Sequence, residues 1–310
     1  MHQSNDAAVV VEGVHKRFGA VQALAGVELS IPRGSCFGLV GPNGAGKTTL
    51  FSIISGFLRP SAGRVRVLGE EHGAERLRGR LAVLPQDASW RKGVPLDRQM
   101  ALCARLQGFS AEDARREVLR VLTLTGMADC VGRHPDKLSH GMAKRVAISQ
   151  ALIGDPAVVL LDEPIAGLDP AQARAIRLLV QGESGKRTFL ISSHDMPDIE
   201  ALCSHVAIIK AGRIVEQRRM DELTRREAVV VFTLAEAPKD ALAAPFRALA
   251  YVSAAEVRPV ERKLQLTVRV DQKGIDEASA EFIGILVAQG VNFVGLQKGT
   301  SLEDAVLKAT

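Results

Sequence analysis

Aromatic side chains are scarce in this 310-residue sequence, with one tryptophan, one tyrosine and ten phenylalanines. A surface that stacks successive nucleic-acid bases needs several exposed rings, so that class is disfavoured. Cysteine is sparse as well. Cys36, Cys103, Cys130 and Cys203 are scattered and form no C-x-x-C pair, which argues against a zinc site and fits a reducing compartment. Cys130 and His134 lie four apart, but Gly132 and Pro135 do not suit a helix face that presents a metal, so both read as structural. No run of eighteen apolar residues occurs, so no segment reads as a transmembrane helix. The opening MHQSNDAAVV lacks a basic-then-apolar start and predicts no secretory leader there.

What remains is the composition of an ordinary globular protein, 46% hydrophobic and 24% charged, long enough for a full-sized domain and a smaller one. The formal net charge is +5. Over 225–310 eleven Lys/Arg balance eleven Asp/Glu, so the whole excess lies in 1–224. A basic surface suits nucleic acid, anionic headgroups or nucleotide phosphates, and charge alone does not choose.

Apolar runs separated by turn residues open the chain: AVVVEGV, VQALAGVELSI, then CFGLV running into a glycine-rich loop. These predict strands. Residues 97–126 turn helical, with Ser110 followed by Glu112 and Asp113 as an N-cap. Buried-strand runs follow at 157–161, 188–192 and 206–209, with helical stretches at 170–182 and 196–203 between them. Strands alternating with helices predict an α/β fold with a mostly parallel sheet covered on both faces. After about 224 the pattern becomes strand, helix (KDALAAPFRAL), two strands, helix, strand and a closing helix over SLEDAVLKA. That β-α-β-β-α-β order predicts a small ferredoxin-like α+β unit.

GPNGAGKTT at 41–49 fits G-x-x-x-x-G-K-[ST], with a strand before it and a helix after it, predicted over Leu50 to Gly56. Glycines let backbone N–H groups wrap a β-phosphate, and the following helix points its positive end at the anion. In such a loop Lys47 bridges the β- and γ-phosphates and Thr48 ligates Mg²⁺. This predicts a nucleoside triphosphate site. VVLLDEP at 158–164 adds two adjacent carboxylates at the end of a buried strand. Successive strand side chains point apart, so the two divide the labour. Asp162 is expected to face Mg²⁺, and Glu163 to take the proton of an attacking water.

With both motifs in place, residues 8–220 resemble the ATP-binding-cassette (ABC) ATPases. The resemblance implies a P-loop NTPase with an N-terminal antiparallel β subdomain and a helical subdomain at about 88–150, within an ATPase domain 1–224 followed by the accessory unit 225–310. Phe18, in HKRFGAVQAL, stands where the family places an aromatic that stacks on adenine; without the resemblance it reads as core. The ATP site is then Phe18 with Gly41, Pro42, Asn43, Gly44, Ala45, Gly46, Lys47, Thr48 and Thr49. Gln86, in VLPQD, is similar to the glutamine whose loop senses Mg²⁺ and touches a transmembrane partner. Mg²⁺ would be held through Thr48, Gln86 and Asp162. His194, in ISSHDM, matches the switch histidine at the γ-phosphate, so Glu163, His194 and Lys47 form the implied catalytic set. Asp169, in AGLDP, belongs to the loop that reaches the other subunit's site.

The resemblance meets a departure in KLSHGMAKR, directly before a helix expected to begin near Lys144. The family's signature there reads Leu-Ser-Gly-Gly-Gln and caps the nucleotide of the opposite subunit. Ser139 and Gly141 keep its contacting positions, while His140 replaces the first glycine and Met142 the glutamine. If position 140 requires a left-handed backbone, a non-glycine costs about 1–2 kcal/mol; in a helical cap the cost is small.

The implied cofactors are ATP and Mg²⁺. The implied partners are a separate transmembrane permease and a second ABC ATPase subunit, in a homodimer or heterodimer, at the cytoplasmic face of the membrane as a peripheral subunit; no nucleic acid is expected. Trp90, Arg91 and Lys92 are candidate permease contacts. The closing TSLEDAVLKAT resembles ABC-2-type exporters of the drug-resistance kind, which favours export. A soluble ABC ATPase acting on nucleic acid or the ribosome is the alternative, supported only by basicity.

Overall fold

The computed structural model describes residues 6–225, 229–235, 242–260, 263–271 and 275–298. Two compact units divide between Met220 and Asp221.

The first unit begins with two long strands, β1 (Ala7–Phe18) and β2 (Val21–Pro32), paired antiparallel so that Phe18 faces Val21 at the turn. β4 (Ala62–Val67) joins the other edge of β1 and β5 (Glu70–Glu71) follows it, giving the order β2-β1-β4-β5. The second sheet uses the short apolar runs. Five of its strands are β3 (Cys36–Val40), β6 (Leu81–Leu84), β7 (Val158–Asp162), β8 (Thr188–Ser193) and β9 (His205–Lys210). With β10 (Arg213–Arg219) they order as β10-β9-β3-β8-β7-β6, parallel except for the β9/β10 hairpin. Every residue of β3, β7 and β8 is buried, as expected of a sheet covered on both faces.

Helix α1 (Lys47–Ile54) shares one core with both sheets: Leu50, Ile53 and Ile54 cluster with Val9 and Val65 of one and with Leu39, Leu160 and Leu190 of the other. Phosphate loop and antiparallel sheet are thereby packed as one body. α1 starts earlier than the apolar pattern indicated, because Gly46 takes φ 109 and the helix begins at the next residue. The helical segment contains α2 (Leu96–Leu106) and α3 (Ala111–Leu124), and the Ser110 hydroxyl accepts from the Asp113 N–H as the expected N-cap. Then come α4 (His140–Ala151), α5 (Pro170–Glu183) and α6 (Met196–Leu202). The thiols of Cys36 and Cys203, far apart in sequence, meet at 3.6 Å in the core, and burial pushes the Cys203 thiol up.

Beyond α7 (Met220–Arg225) the second unit contains β11 (Val229–Leu234), α8 (Ala244–Arg247), β12 (Val252–Val260), β13 (Lys263–Val270), α9 (Ile275–Ala288) and β14 (Phe293–Lys298). The strand order β12-β13-β11-β14, antiparallel throughout, is the ferredoxin-like arrangement the element order predicts. Leu266, Val268 and Val270 of β13 pack with Ala278, Phe282 and Leu286 of α9. The first crossover helix is shorter than KDALAAPFRAL suggested. Pro245 lacks an N–H and belongs in a first turn, so α8 starts at Ala244 and its described length is one turn. Residues 239–241 and the expected closing helix over SLEDAVLKA lie outside the described residues.

Candidate functional site

In a parallel sheet the loops that leave the carboxyl ends of adjacent strands converge. Here those loops begin at Gly41 after β3, Glu163 after β7, His194 after β8 and the segment holding Gln86 after β6. Gly41 has no room for a side chain, because a Cβ there would lie 2.2 Å from the Ile209 carbonyl oxygen. At Gly46 a Cβ would meet Leu24 Cδ2 at 2.8 Å and the Ala23 carbonyl at 2.9 Å, so β2 is pressed onto the loop. Pro42, Asn43, Gly44 and Thr48 are exposed, Thr49 is half-buried, and Ala45 is buried, its carbonyl accepting from the Gly212 N–H at 2.9 Å. Lys47 is only 7% exposed, and its ammonium lies inside the loop on the carbonyls of Gly41 (2.6 Å) and Pro42 (3.3 Å). A cation encircled by backbone at a helix N-terminus is built for phosphate.

Asp162, buried at the end of β7, joins the loop to the sheet. Thr48 Oγ1 donates to its Oδ2 at 3.1 Å, and Ser192 Oγ donates to its Oδ1. Glu163, also buried, has φ 51, a left-handed backbone that costs a non-glycine about 1–2 kcal/mol. Its surroundings hold it there. Its N–H donates to the Ser192 carbonyl (3.2 Å) and hydroxyl (3.1 Å), and its Oε2 lies 2.9 Å from His194 Nδ1. Sequence patterning missed Ser192. It becomes visible only through the parallel register that sets Asp162 beside Ser192.

Lys144, on the second turn of α4, was missed too. Its Nζ donates to the carbonyls of Gln86 and Glu163, each at 3.4 Å. Burial pushes this amine below the usual lysine range, against the pull of Asp87, Glu163 and Asp162. Gln86 itself is exposed, and its backbone carbonyl is the group this contact fixes.

α4 begins at His140, not near Lys144, because Ser139 is its N-cap: φ is −67, and the hydroxyl accepts from the Met142 N–H at 3.3 Å. His140 therefore carries right-handed helical backbone, where a side chain is tolerated, and the left-handed penalty does not arise. Gly141 is different. A Cβ there would lie 1.8 Å from Gln172 Oε1, on the first turn of α5. Asp169 caps that same helix, accepting from the Gln172 N–H at 2.9 Å. The His140 imidazole lies over Gly167, 3.7 Å from where a Cβ would stand, so the two loops touch within one chain.

Phe18 is not core. It is 50% exposed at the end of β1, with Lys16 Nζ 5.1 Å from its ring centroid. An exposed ring on the hairpin whose other strand presses on the phosphate loop is available to a flat base.

Sheet, loop and carboxylates together place the chain among the P-loop nucleoside triphosphatases. Comparison with known proteins narrows this. Residues 24–166 match the ABC transporter family model. Nod factor export ATP-binding protein I of Ralstonia nicotianae is 36% identical over 70% of this chain and 68% of its own length. Daunorubicin resistance ATP-binding protein DrrA3 of Streptomyces coeruleorubidus is 35% identical over 70% of each chain. Linearmycin resistance ATP-binding protein LnrL of Bacillus subtilis, at 27% identity, matches over 92% of both. Methionine import ATP-binding protein MetN of Rhizobium etli, at 34%, matches 66% of this chain and 59% of its own. Among solved structures, cbiO1 from Clostridium perfringens, part of the ABC transporter complex cbiONQ, has a TM-score of 0.63 at 30% identity, covering 70% of this chain and 90% of that one. The chain belongs to the ATP-binding proteins of ABC transporters, and it is an ATPase subunit.

Proposed function

We propose that this cassette binds ATP between Phe18 and the 41–49 loop, closes on a second cassette, and drives a separate transmembrane permease in export. The observation that carries the reading is the convergence of Lys47, the Thr48–Asp162 pair and the Glu163–His194 pair at the carboxyl ends of β3, β7 and β8. Lys47 exchanges the Gly41 and Pro42 carbonyls for the β- and γ-phosphates. Thr48 and Asp162 are hard oxygen donors already within hydrogen-bond distance, which suits Mg²⁺, and Gln86 would join them from the neighbouring loop. Bound there, Mg²⁺ neutralises charge on the phosphate oxygens. Glu163 takes the proton of the attacking water, a role typically worth about 10²–10⁴-fold in rate. His194, donating from Nδ1, holds that carboxylate in place and presents its other nitrogen to the γ-phosphate. Ser139, His140, Gly141 and Met142 cap the partner's nucleotide through the N-terminus of α4, and Asp169 lies on the loop beside it.

Export is supported by the likeness to a Nod factor export protein and by the match over 92% of both chains to a resistance protein, set against a match to only 59% of the methionine import protein. The same match supports an accessory role for 225–310 beside an ATPase domain 1–224. Among the described residues no helix is long and apolar enough to cross a membrane, which fits a peripheral subunit on the cytoplasmic face. The Nod factor and methionine relatives are named for export and import, and these names do not favour the alternative of nucleic acid or the ribosome.

The test is size-exclusion chromatography of Glu163→Gln with and without Mg-ATP. A shift from monomer to dimer on adding Mg-ATP is expected. A persistent monomer that binds ATP would overturn the homodimeric clasp.

A further inference from the structure

We infer that Lys144 is a positioning residue for hydrolysis, a clamp that fastens the backbone of Glu163 and the loop of Gln86 to the helix bearing the 139–142 segment. This deepens the proposed function and rests on it in taking Glu163 as the general base.

The geometry begins with Glu163, whose left-handed backbone is one a glutamate does not adopt unaided. Residues in such conformations persist where the surroundings over-determine them. Ser192 holds the N–H side of Glu163 with its carbonyl and hydroxyl, and His194 faces the carboxylate. On the carbonyl side the holder is Lys144. Without it one end of the strained residue is released, and rotation of that backbone swings the carboxylate away from the water it must activate.

An ammonium suits this post. It has three donors, so one group grips the carbonyls of both Glu163 and Gln86 at 3.4 Å. Helical side chains lean toward the N-terminus of their helix, which carries Nζ from the second turn of α4 toward the end bearing Ser139 and Gly141. Because α4 is rigid, a partner's nucleotide seated at its first turn and the chain's own general base at its second are joined through four residues. Lys144 thus links capture of one nucleotide to alignment for hydrolysis of the other.

The test compares steady-state ATP hydrolysis by the full chain with Lys144→Met, Lys144→Arg and Glu163→Gln, each with a melting curve. Lys144→Met is expected to lower kcat at least about tenfold with KM for ATP within about twofold, the pattern of an interaction that serves the reaction and not substrate binding. Lys144→Arg, which keeps several donors on a long stem, is expected to stay within about threefold of wild type. Wild-type kcat in Lys144→Met, a rise in KM at constant kcat, or equal damage in both variants would overturn the clamp. If Lys144→Met does not fold, Lys144→Gln carries the test under the same criteria, since its amide is too short to bridge both carbonyls. Glu163→Gln keeps the two readings apart. Full turnover in that variant removes the general base, and with it the clamp; a silent Glu163→Gln beside an unimpaired Lys144→Met removes the clamp alone.

Discussion

Thr48 and Asp162, 114 positions apart in the chain, are joined by one hydrogen bond of 3.1 Å from hydroxyl to carboxylate. Thr48 lies in the first turn of the helix after the phosphate loop and Asp162 ends β7, with β8 between β7 and the strand that feeds the loop, so the contact ties the phosphate loop to the carboxylates at the end of β7. If the pair also holds Mg²⁺, Thr48→Val is expected to raise the Mg²⁺ concentration for half-maximal hydrolysis by about 10–100-fold, the usual cost of disturbing a metal's ligand shell. Asp162→Asn is expected to do at least as much. Mg²⁺ titrations at saturating ATP measure both, and unchanged midpoints would remove the pair from the metal site.

Gly141 separates packing from function in the 139–142 segment. A Cβ at 141 meets the end of the Gln172 side chain, which is flexible and free to move aside. Gly141→Ala is therefore expected to cost less than about 1 kcal/mol of stability, within the range for tolerated core changes. If the segment caps a partner's nucleotide as proposed, hydrolysis is expected to fall by more than about tenfold, because the methyl and the shifted Gln172 side chain crowd the first turn of α4 where the phosphate would sit. Urea melts and ATPase rates on one preparation test this, and equal losses in both would show that glycine serves only the fold.

Phe18 is expected to act on affinity. Base–ring stacking is worth about 1–3 kcal/mol, so Phe18→Ala should raise KM for ATP at least about fivefold with kcat little changed, while Phe18→Tyr keeps the ring and the affinity. An unaltered KM in the alanine variant would leave Phe18 as an exposed ring without a ligand.

Acid should loosen the first unit through Glu117. Burial pushes this carboxyl up, but the Arg120 guanidinium at 2.6–2.7 Å and the Gly154 N–H at 2.8 Å outweigh it and hold the group below its ordinary value. Lys186 and Arg187 do the same for Glu183. A carboxylate depressed in the folded state contributes stability that is complete above its unfolded pKa of about 4.3 and lost as pH falls through the folded value. Melting temperatures should therefore decline on acidification below about pH 4.3, and Glu117→Gln should flatten part of that decline. A variant as acid-sensitive as wild type would assign the loss to other carboxylates.

Much of the architecture was legible. CFGLV and AVVLL carry no polar side chain except the Cys36 thiol and TFLIS only hydroxyls at its ends, the near-continuous apolar pattern of strands in a sheet covered on both faces. The order of strands and helices after 224 predicted the ferredoxin-like unit. β4, β6 and β10 did not stand out. In β4 two alternating arginines dilute the pattern, in β10 the charged and polar run Glu216–Arg219 does so, and β6 is four residues long. Helix starts were displaced where a cap decided them, at Gly46 and Ser139, because capping depends on one residue's backbone angles and not on periodicity. At the site, Lys47, Thr48, Asp162 and Glu163 were legible because each lies in a contiguous motif. Ser192 and Lys144 lie inside ISSHDM and KLSHGMAKR, and Gln172 just after AGLDP, but their roles were not legible, since the groups they touch lie elsewhere in the chain.

By itself the sequence determined the chemistry this chain carries, because a phosphate loop needs glycines, a lysine and a threonine in unbroken order, and that order is local. Only the tertiary structure decided how the chemistry is aimed. Strand register sets Ser192 beside Asp162, α4 brings Lys144 under Glu163, and a helical backbone at His140 makes room for a side chain where the family has glycine. The first two relations join residues 30 and 19 positions apart, and they exist only after the sheet has paired and α4 has packed against it.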